Sequence, residues 1–304
     1  MDISVIICTY NGSRTITCCM ASLFAQETNL KYEIVVVDNN SIDSTGILVE
    51  EFRKTKNLKN LELLTEEAPG KVNALKKGIL QSSGELLIIC DDDNYLSKEY
   101  FNVAYDFFEM NPKCGGACGI NTAISNATFP HWFKDYEILF GCGALSSKTE
   151  VVSNLWGAGM VLRGNIVRQL YSRGITHYLG TMYQDNNRYD SIRLCGEDNE
   201  QCFWIKQLGY HLYFIKELNL EHDIPKERFT IQYRDNLIEG IKLSNTTFQE
   251  TYGILKSALK KVRKKDYINV FLPTKAGKVS RLKCGITKSG KLYNNYSILK
   301  ELTK

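Results

Sequence analysis

Glu33-Ile34-Val35-Val36-Val37-Asp38-Asn39-Asn40-Ser41-Ile42-Asp43 reads as a strand that ends in an acidic turn. Ile34 to Val37 are all β-branched and apolar, the pattern of a strand covered on both faces. Asp38 closes the run, and Ser41 or Asp43 suits the cap of a following helix. The same order recurs at Leu86-Leu87-Ile88-Ile89-Cys90, which leads into Asp91-Asp92-Asp93-Asn94. Strands are expected at 3–8, 33–38, 61–64 and 85–90, with helical patterns at 13–26, 45–56 and 71–81 between them. This alternation predicts an α/β domain with a mostly parallel sheet flanked by helices. Right-handed crossovers bring the strand ends to one rim, where open α/β sheets hold their ligands.

Beyond residue 110 the alternation weakens. Gly115, Gly116, Gly119, Gly141, Gly143, Gly157 and Gly159 mark turns or close backbone approach. Residues 179–193 are polar and read as a loop. A third acidic cluster, Glu197-Asp198, opens a helical pattern over 197–208, with Gly209 as its stop. Further helices are expected at 229–242 and 247–264. Asp38 with Asp43, Asp91-Asp92-Asp93 and Glu197-Asp198 all fall at element boundaries, where carboxylates can converge on one cleft.

The 304 residues suffice for one large domain plus an extension. No stretch approaches the roughly 20 apolar residues of a membrane span. The start, Met1-Asp2-Ile3-Ser4-Val5, leads straight into a strand and has no signal-peptide pattern. Ten cysteines, several in apolar runs (Cys8, Cys90, Cys202), suit a reducing cytoplasm. Cys114 and Cys118 have no second pair at zinc spacing. Residues 226–304 hold 18 Lys and Arg against 6 Asp and Glu, whereas residues 1–225 hold 20 against 28. An acidic body, 1–225, is therefore expected to carry a basic, largely helical extension, 226–304.

One ordered set of motifs goes further. Val5-Ile6-Ile7-Cys8-Thr9-Tyr10-Asn11 and Val35-Val36-Val37-Asp38-Asn39-Asn40-Ser41-Ile42-Asp43 come first, then Pro69-Gly70-Lys71-Val72-Asn73 and Asp91-Asp92-Asp93-Asn94. Trp156-Gly157-Ala158-Gly159 and Cys195-Gly196-Glu197-Asp198 complete it. In this order they resemble the family 2 glycosyltransferases, bacterial type, of the Rossmann-like GT-A fold, over residues 1 to about 230. The resemblance implies inverting transfer from a nucleotide-diphosphate sugar, UDP or GDP type, to an acceptor hydroxyl, in surface polysaccharide or glycolipid synthesis. It implies donor contacts at Thr9, Tyr10, Asn11, Asp38, Asp43, Lys71, Asp91 and Asp92. It implies a Mg²⁺ or Mn²⁺ ion at Asp91 and Asp93, assisted by His222, with Arg228 adding charge to the same rim. Asp198 would be the general base, Glu197 would position acceptor or sugar, and Trp132, Trp156 and Gly157 would contact acceptor or sugar.

Each residue has a plainer reading. Asp38 and Asp43 have a lesser reading as turn and cap residues only. Asp91-Asp92-Asp93 suits a solvated loop, and Glu197-Asp198 suits the positive end of a helix. Lys71 and Arg14 suit the surface, His222 a structural role, and Trp132 and Trp156 the core. The basic run Lys256, Lys260, Lys261, Arg263, Lys264, Lys265 is a solvated helix face or a contact for an anionic membrane surface. The latter fits a lipid-linked or glycan acceptor and a peripheral place on the inner face of the membrane. No nucleic-acid motif accompanies these residues. Two rival functions remain, a nucleotidyltransferase and a non-catalytic sugar-nucleotide or glycan-binding protein. A dehydrogenase is disfavoured, because no G-x-G-x-x-G follows the first strand.

Overall fold

The computed structural model describes residues 1–177, 179, 195–262, 271–273, 279–281 and 289–302. It opens with β1 (Ile3–Thr9), α1 (Ile16–Phe24), β2 (Tyr32–Asp38), α2 (Thr45–Thr55), β3 (Leu61–Thr65), α3 (Lys71–Gln81) and β4 (Leu86–Asp91). These strands run parallel in the order β3-β2-β1-β4. Alternation along β1 sets the two layers: Ile3, Val5 and Ile7 pack with Met20 and Leu23 of α1, and Ile6 packs with Leu75 and Ile79 of α3. Both faces are covered, so the strands are mostly apolar, with Ser4, Glu33 and Glu62 as exceptions.

The second half is mixed. It contains β5 (Asn94–Leu96), α4 (Tyr100–Met110), β6 (Cys114–Ile124), the short α5 (Phe133–Tyr136), β7 (Glu150–Val152), β8 (Met160–Arg163), α6 (Gly164–Ser172), α7 (Glu197–Gln207) and β9 (His211–Asp223). β8 lies antiparallel between β4 and β6, β9 runs parallel to β6, and β5 and β7 pair antiparallel with β9. The chain passes from Asp91 at the end of β4 to Asn94 at the start of β5, although β8, β6 and β9 separate these strands in the sheet. Three residues span at most about 11 Å, whereas four strand spacings measure about 19 Å, so the sheet must curl. The β6–β9 register jumps from Cys118–Phe214 to Ile120–Asn219. There a Cβ on Gly119 would lie 1.9 Å from the Leu218 carbonyl, so only glycine fits.

The glycines of the weakly patterned region thus divide by role. Gly115, Gly116 and Gly119 lie inside β6 under packed neighbours, and Gly141, Gly143 and Gly159 make positive-φ turns. Gly209, at φ 87°, follows the end of α7 as expected.

The two helices expected at 229–242 and 247–264 are one, α8 (Ile231–Val262). The polar stretch between them does not break it. Ser244 is buried and accepts the Cys195 N–H at 3.0 Å, and the Thr246 hydroxyl donates back to the Lys242 carbonyl. A two-stranded antiparallel ladder, β10 (Phe271–Pro273) and β11 (Val279–Arg281), and α9 (Ser289–Leu302) follow. Tyr252 of α8 and Ile298 and Leu299 of α9 join the core beside α6 and α7. Apart from Leu179, the polar loop expected at 179–193 lies outside the described residues, as do Arg263, Lys264 and Lys265. Among the described residues no helix is long and apolar enough to cross a membrane.

Candidate active site

Parallel register sets Thr9 beside Asp38 and Cys8 beside Asp91, so β1, β2 and β4 end on one rim. Asn39, just past the end of β2, organises the loop ahead of α3. Its side-chain N–H groups donate to the carbonyls of Glu66 (2.8 Å) and Ala68 (2.7 Å), and its Oδ1 accepts the Gly70 N–H at 2.7 Å. This buried side chain fixes the segment that delivers Lys71. Asn11 and Asn40 both adopt positive φ, which asparagine tolerates better than most residues. Asn11 stitches the first two loops together: its N–H donates to Ser41 Oγ and its Oδ1 accepts the Ile42 N–H, each at 2.9 Å.

The acidic turn residues separate by role. Asp38 accepts the Ser41 N–H at 3.0 Å through Oδ1. Asp43 engages both oxygens, with Thr45 at the start of α2 and with the Ser13 N–H. Burial opposes its charge, but these hydrogen bonds together outweigh it and lower its pKa. The N-cap position of α2 is Ser44, not Ser41 or Asp43, and Asp43 instead ties the Thr45 and Ser13 amides together from one residue before it. Tyr10 is 44% exposed beside these loops.

Asp92 turns away from Asp91 and accepts the Thr9 hydroxyl over Gly12. A Cβ on Gly12 would lie 2.1 Å from Asp92 Oδ2 and 2.3 Å from Thr9 Oγ1. Gly12→Ala is therefore expected to cost about 1–3 kcal/mol of stability through overpacking. A melting temperature equal to that of the parent would contradict this packing.

Lys71, at the start of α3, ties two clusters together. Its Nζ lies 2.5 Å from Asp91 Oδ1 and 3.8 Å from Glu197 Oε1. Burial disfavours the ammonium, but Asp91 and Glu197 outweigh it and raise its pKa. Glu197 and Asp198 open α7, where the helix dipole favours negative charge. Burial raises the Glu197 pKa, and Lys71 reverses that effect. At Asp198 burial and then the Glu197 charge outweigh the weaker opposing pull of the Asn199 N–H and Lys71, and push the carboxyl up to about 7. A Cβ on Gly157 would lie 3.8 Å from Asp198 Oδ2, so the missing side chain leaves the carboxyl open on that side.

On the other side of the rim, β5–β9 pairing sets Asn94 opposite His222. Asp93 Oδ1 lies 3.5 Å from His222 Nε2, and Asp93 Oδ2 lies 3.7 Å from the Arg228 guanidinium. Burial opposes the Asp93 charge, but His222 and Arg228 hold the carboxyl well below the usual range. Burial likewise disfavours the imidazolium, yet Asp93 raises His222 to about 10. Among the described residues no three His, Cys, Asp or Glu side chains form a ready metal cage. The donor chemistry still suits a hard divalent ion, since Mg²⁺ sites commonly use one or two carboxylates and leave the rest to phosphate and water. His222 would have to release its proton to ligate.

Trp132 is buried among Phe133, Phe140 and Ile224, with the Arg234 guanidinium 5.5 Å from its ring. It shares that cluster with Cys142, whose Sγ lies 3.6 Å from His222 Nδ1. Trp156 is buried in the main core, and its indole N–H has no hydrogen-bond partner among the described residues. Of this group, Gly157 is the residue the structure sets beside Asp198. Two contributors escaped the sequence reading. Asn39 looked like one more turn residue, and its spacing from Lys71 gives no hint of the tie. Arg14, expected at the surface, is 45% exposed but bonds Asp223 Oδ2 at 2.7 Å, across 209 residues of sequence.

Comparison with known proteins gives this rim a family. The model of glycosyl transferase family 2 matches residues 4–170. A dolichyl N-acetyl-glucosaminyl phosphate diacetamido-dideoxy-glucuronosyltransferase of Methanococcus voltae is 30% identical over 128 residues, 40% of this chain and 40% of its own. The Staphylococcus aureus poly(ribitol-phosphate) β-N-acetylglucosaminyltransferase TarS is 37% identical over 111 residues, 36% of this chain and 19% of its own. The chain thus spans well under two thirds of these curated relatives. The crystal structure of S. aureus TarS 1–349 with UDP-GlcNAc superimposes with a TM-score of 0.54 at 18% identity, covering 82% of this chain and 67% of that one. At that identity the likeness shows a shared fold, GT-A.

Proposed function

The chain belongs to glycosyl transferase family 2, and from that premise we propose that it transfers a sugar from a nucleotide diphosphate to an acceptor hydroxyl with inversion. The observation that carries this reading is the Asp198 carboxyl, open toward Gly157 and pushed up to about 7. A base with a pKa near working pH combines a useful deprotonated fraction with a strong pull on the proton. Asp198 takes the proton of the acceptor hydroxyl as its oxygen bonds to the anomeric carbon. The bond from that carbon to the diphosphate breaks on the opposite face, and the diphosphate leaves with the electron pair. Lys71 and Arg228 supply positive charge on the leaving side. A Mg²⁺ or Mn²⁺ ion at Asp93, with Asp91 and His222, would neutralise further charge on the diphosphate.

UDP-GlcNAc, the donor in the TarS complex, is the first donor to test. The acceptors named for the relatives, a dolichyl-linked sugar and a poly(ribitol phosphate), favour a lipid-linked or surface-polymer acceptor. The basic segment 256–265 would bring the enzyme to the anionic inner face of the membrane, where such acceptors are anchored.

The decisive experiment is a thermal-shift panel of UDP, GDP, CDP and dTDP with Mn²⁺ or EDTA. UDP at about 100 times its Kd should add about 2.7 kcal/mol of stability by mass action. EDTA should remove most of that gain. The absence of a shift with every nucleotide would sink the reading.

A further inference from the structure

Behind the carboxylates at the start of α7 lies a buried polar network with no part in the transfer just described. Glu200, one turn after Glu197, is fully buried. Its Oε2 accepts from His177 Nδ1 at 2.8 Å and from the Leu179 N–H at 3.2 Å, and its Oε1 accepts the Tyr252 hydroxyl of α8 at 2.6 Å. His177 Nε2 lies 2.5 Å from the Tyr171 hydroxyl of α6, which also accepts from Gln201 Nε2. One residue before His177, the Thr176 N–H and carbonyl are both held by the side-chain amide of Asn295 in α9, at 3.0 and 2.7 Å. Cys195, just ahead of α7, donates its N–H to Ser244 of α8.

We propose that Glu200, Tyr252 and Asn295 form a positioning clamp, by which α8 and α9 set the first turn of α7, and with it Asp198, against the donor rim. The proposal rests on the transferase reading of Asp198. Its physics is that of a fully satisfied buried carboxylate. Such a group holds its surroundings in one arrangement, and removing a single donor weakens the tie between the helices that the group joins. The lever is short, because Glu200 and Glu197 lie on adjacent turns of one helix. A displacement of about 1 Å at a reacting group can cost about a hundredfold in rate. The C-terminal helices thereby become part of the catalytic unit, and removal of residues 257–304 would disturb chemistry as well as any surface contact.

The test uses Tyr252→Phe and Asn295→Ala in the full chain. Release of UDP from UDP-GlcNAc, with water as acceptor, is followed alongside hydrogen exchange at the amides of residues 196–200. Phe108→Leu, in the core of the opposite layer, serves as a control for general destabilisation. Tyr252→Phe is expected to lower kcat tenfold or more, leave KM for UDP-GlcNAc within twofold, and speed exchange at 196–200. The control should lower the melting temperature and leave kcat unchanged. A kcat within twofold of the parent, or a kcat loss without faster exchange at 196–200, overturns the clamp. If the parent chain itself releases no UDP, the choice of UDP-GlcNAc as donor fails, and the exchange data alone decide whether Tyr252 holds α7.

Discussion

Asp198→Asn is expected to lower the rate of sugar transfer about a thousandfold, within the range that a positioned general base contributes. Asparagine keeps the shape and can still accept the Asn199 N–H that Asp198 Oδ1 takes at 2.7 Å, so donor affinity should stay within a few-fold. In the parent, burial and the Glu197 charge push Asp198 up to about 7. The base works only when deprotonated, so activity should rise with pH through a limb near 7, and that limb should be missing from the residual activity of the variant. The same shift acts on stability with the opposite sign. A carboxyl whose folded pKa exceeds its unfolded value binds more protons in the folded state between those values, so its contribution falls as pH rises from about 4 to about 7. Asp198→Asn should therefore melt higher than the parent at pH 8. A variant that keeps its rate, or loses donor binding outright, would assign Asp198 another role.

The place of Asp198 at a helix start was legible in the sequence and the contacts of Glu200 were not, because the two depend on different information. Asp38, Asp91 and Asp198 sit at the ends of elements whose local pattern is strong: a buried parallel strand is mostly apolar, and a helix start collects acidic residues. The residue at the boundary is then visible, and parallel register brings Thr9, Asp38 and Asp91 together with no long-range information. Within a boundary, however, the sequence does not tell which carboxylate faces the cleft. Asp43 accepts from Thr45 and Asp92 accepts from Thr9, because loop geometry turns them there. The second half was harder to read, because glycine carries two opposite meanings. In β6 it admits packed neighbours, and at Gly141 it turns the chain. Arg14 with Asp223, and Glu200 with Tyr252, meet across 209 and 52 residues, and neither partner has a periodic neighbourhood that points to the other. The unbroken α8 was missed for a related reason: Ser244 favours a turn locally but is held in the helix by its bond to Cys195.

Lys71→Met should have the second largest effect and a distinctive pH signature. Lys71 meets Asp91 at 2.5 Å and Glu197 at 3.8 Å, so its loss leaves two carboxylates facing a diphosphate with one cation fewer. Donor KM is expected to rise at least tenfold, since removing one partner of a partly buried ion pair leaves the other uncompensated. Lys71 also lowers the Asp198 pKa, while Glu197 raises it. Without Lys71 the acid limb should therefore move to higher pH, and with Glu197→Gln it should move to lower pH. A purely structural Lys71 would raise KM or reduce stability without moving the limb. Opposite displacements in the two variants would show that one lysine sets both the charge that meets the diphosphate and the proton affinity of the base. That coupling gives a physical reason for α3 and α7, which belong to different halves of the chain, to present their first turns to the same cleft.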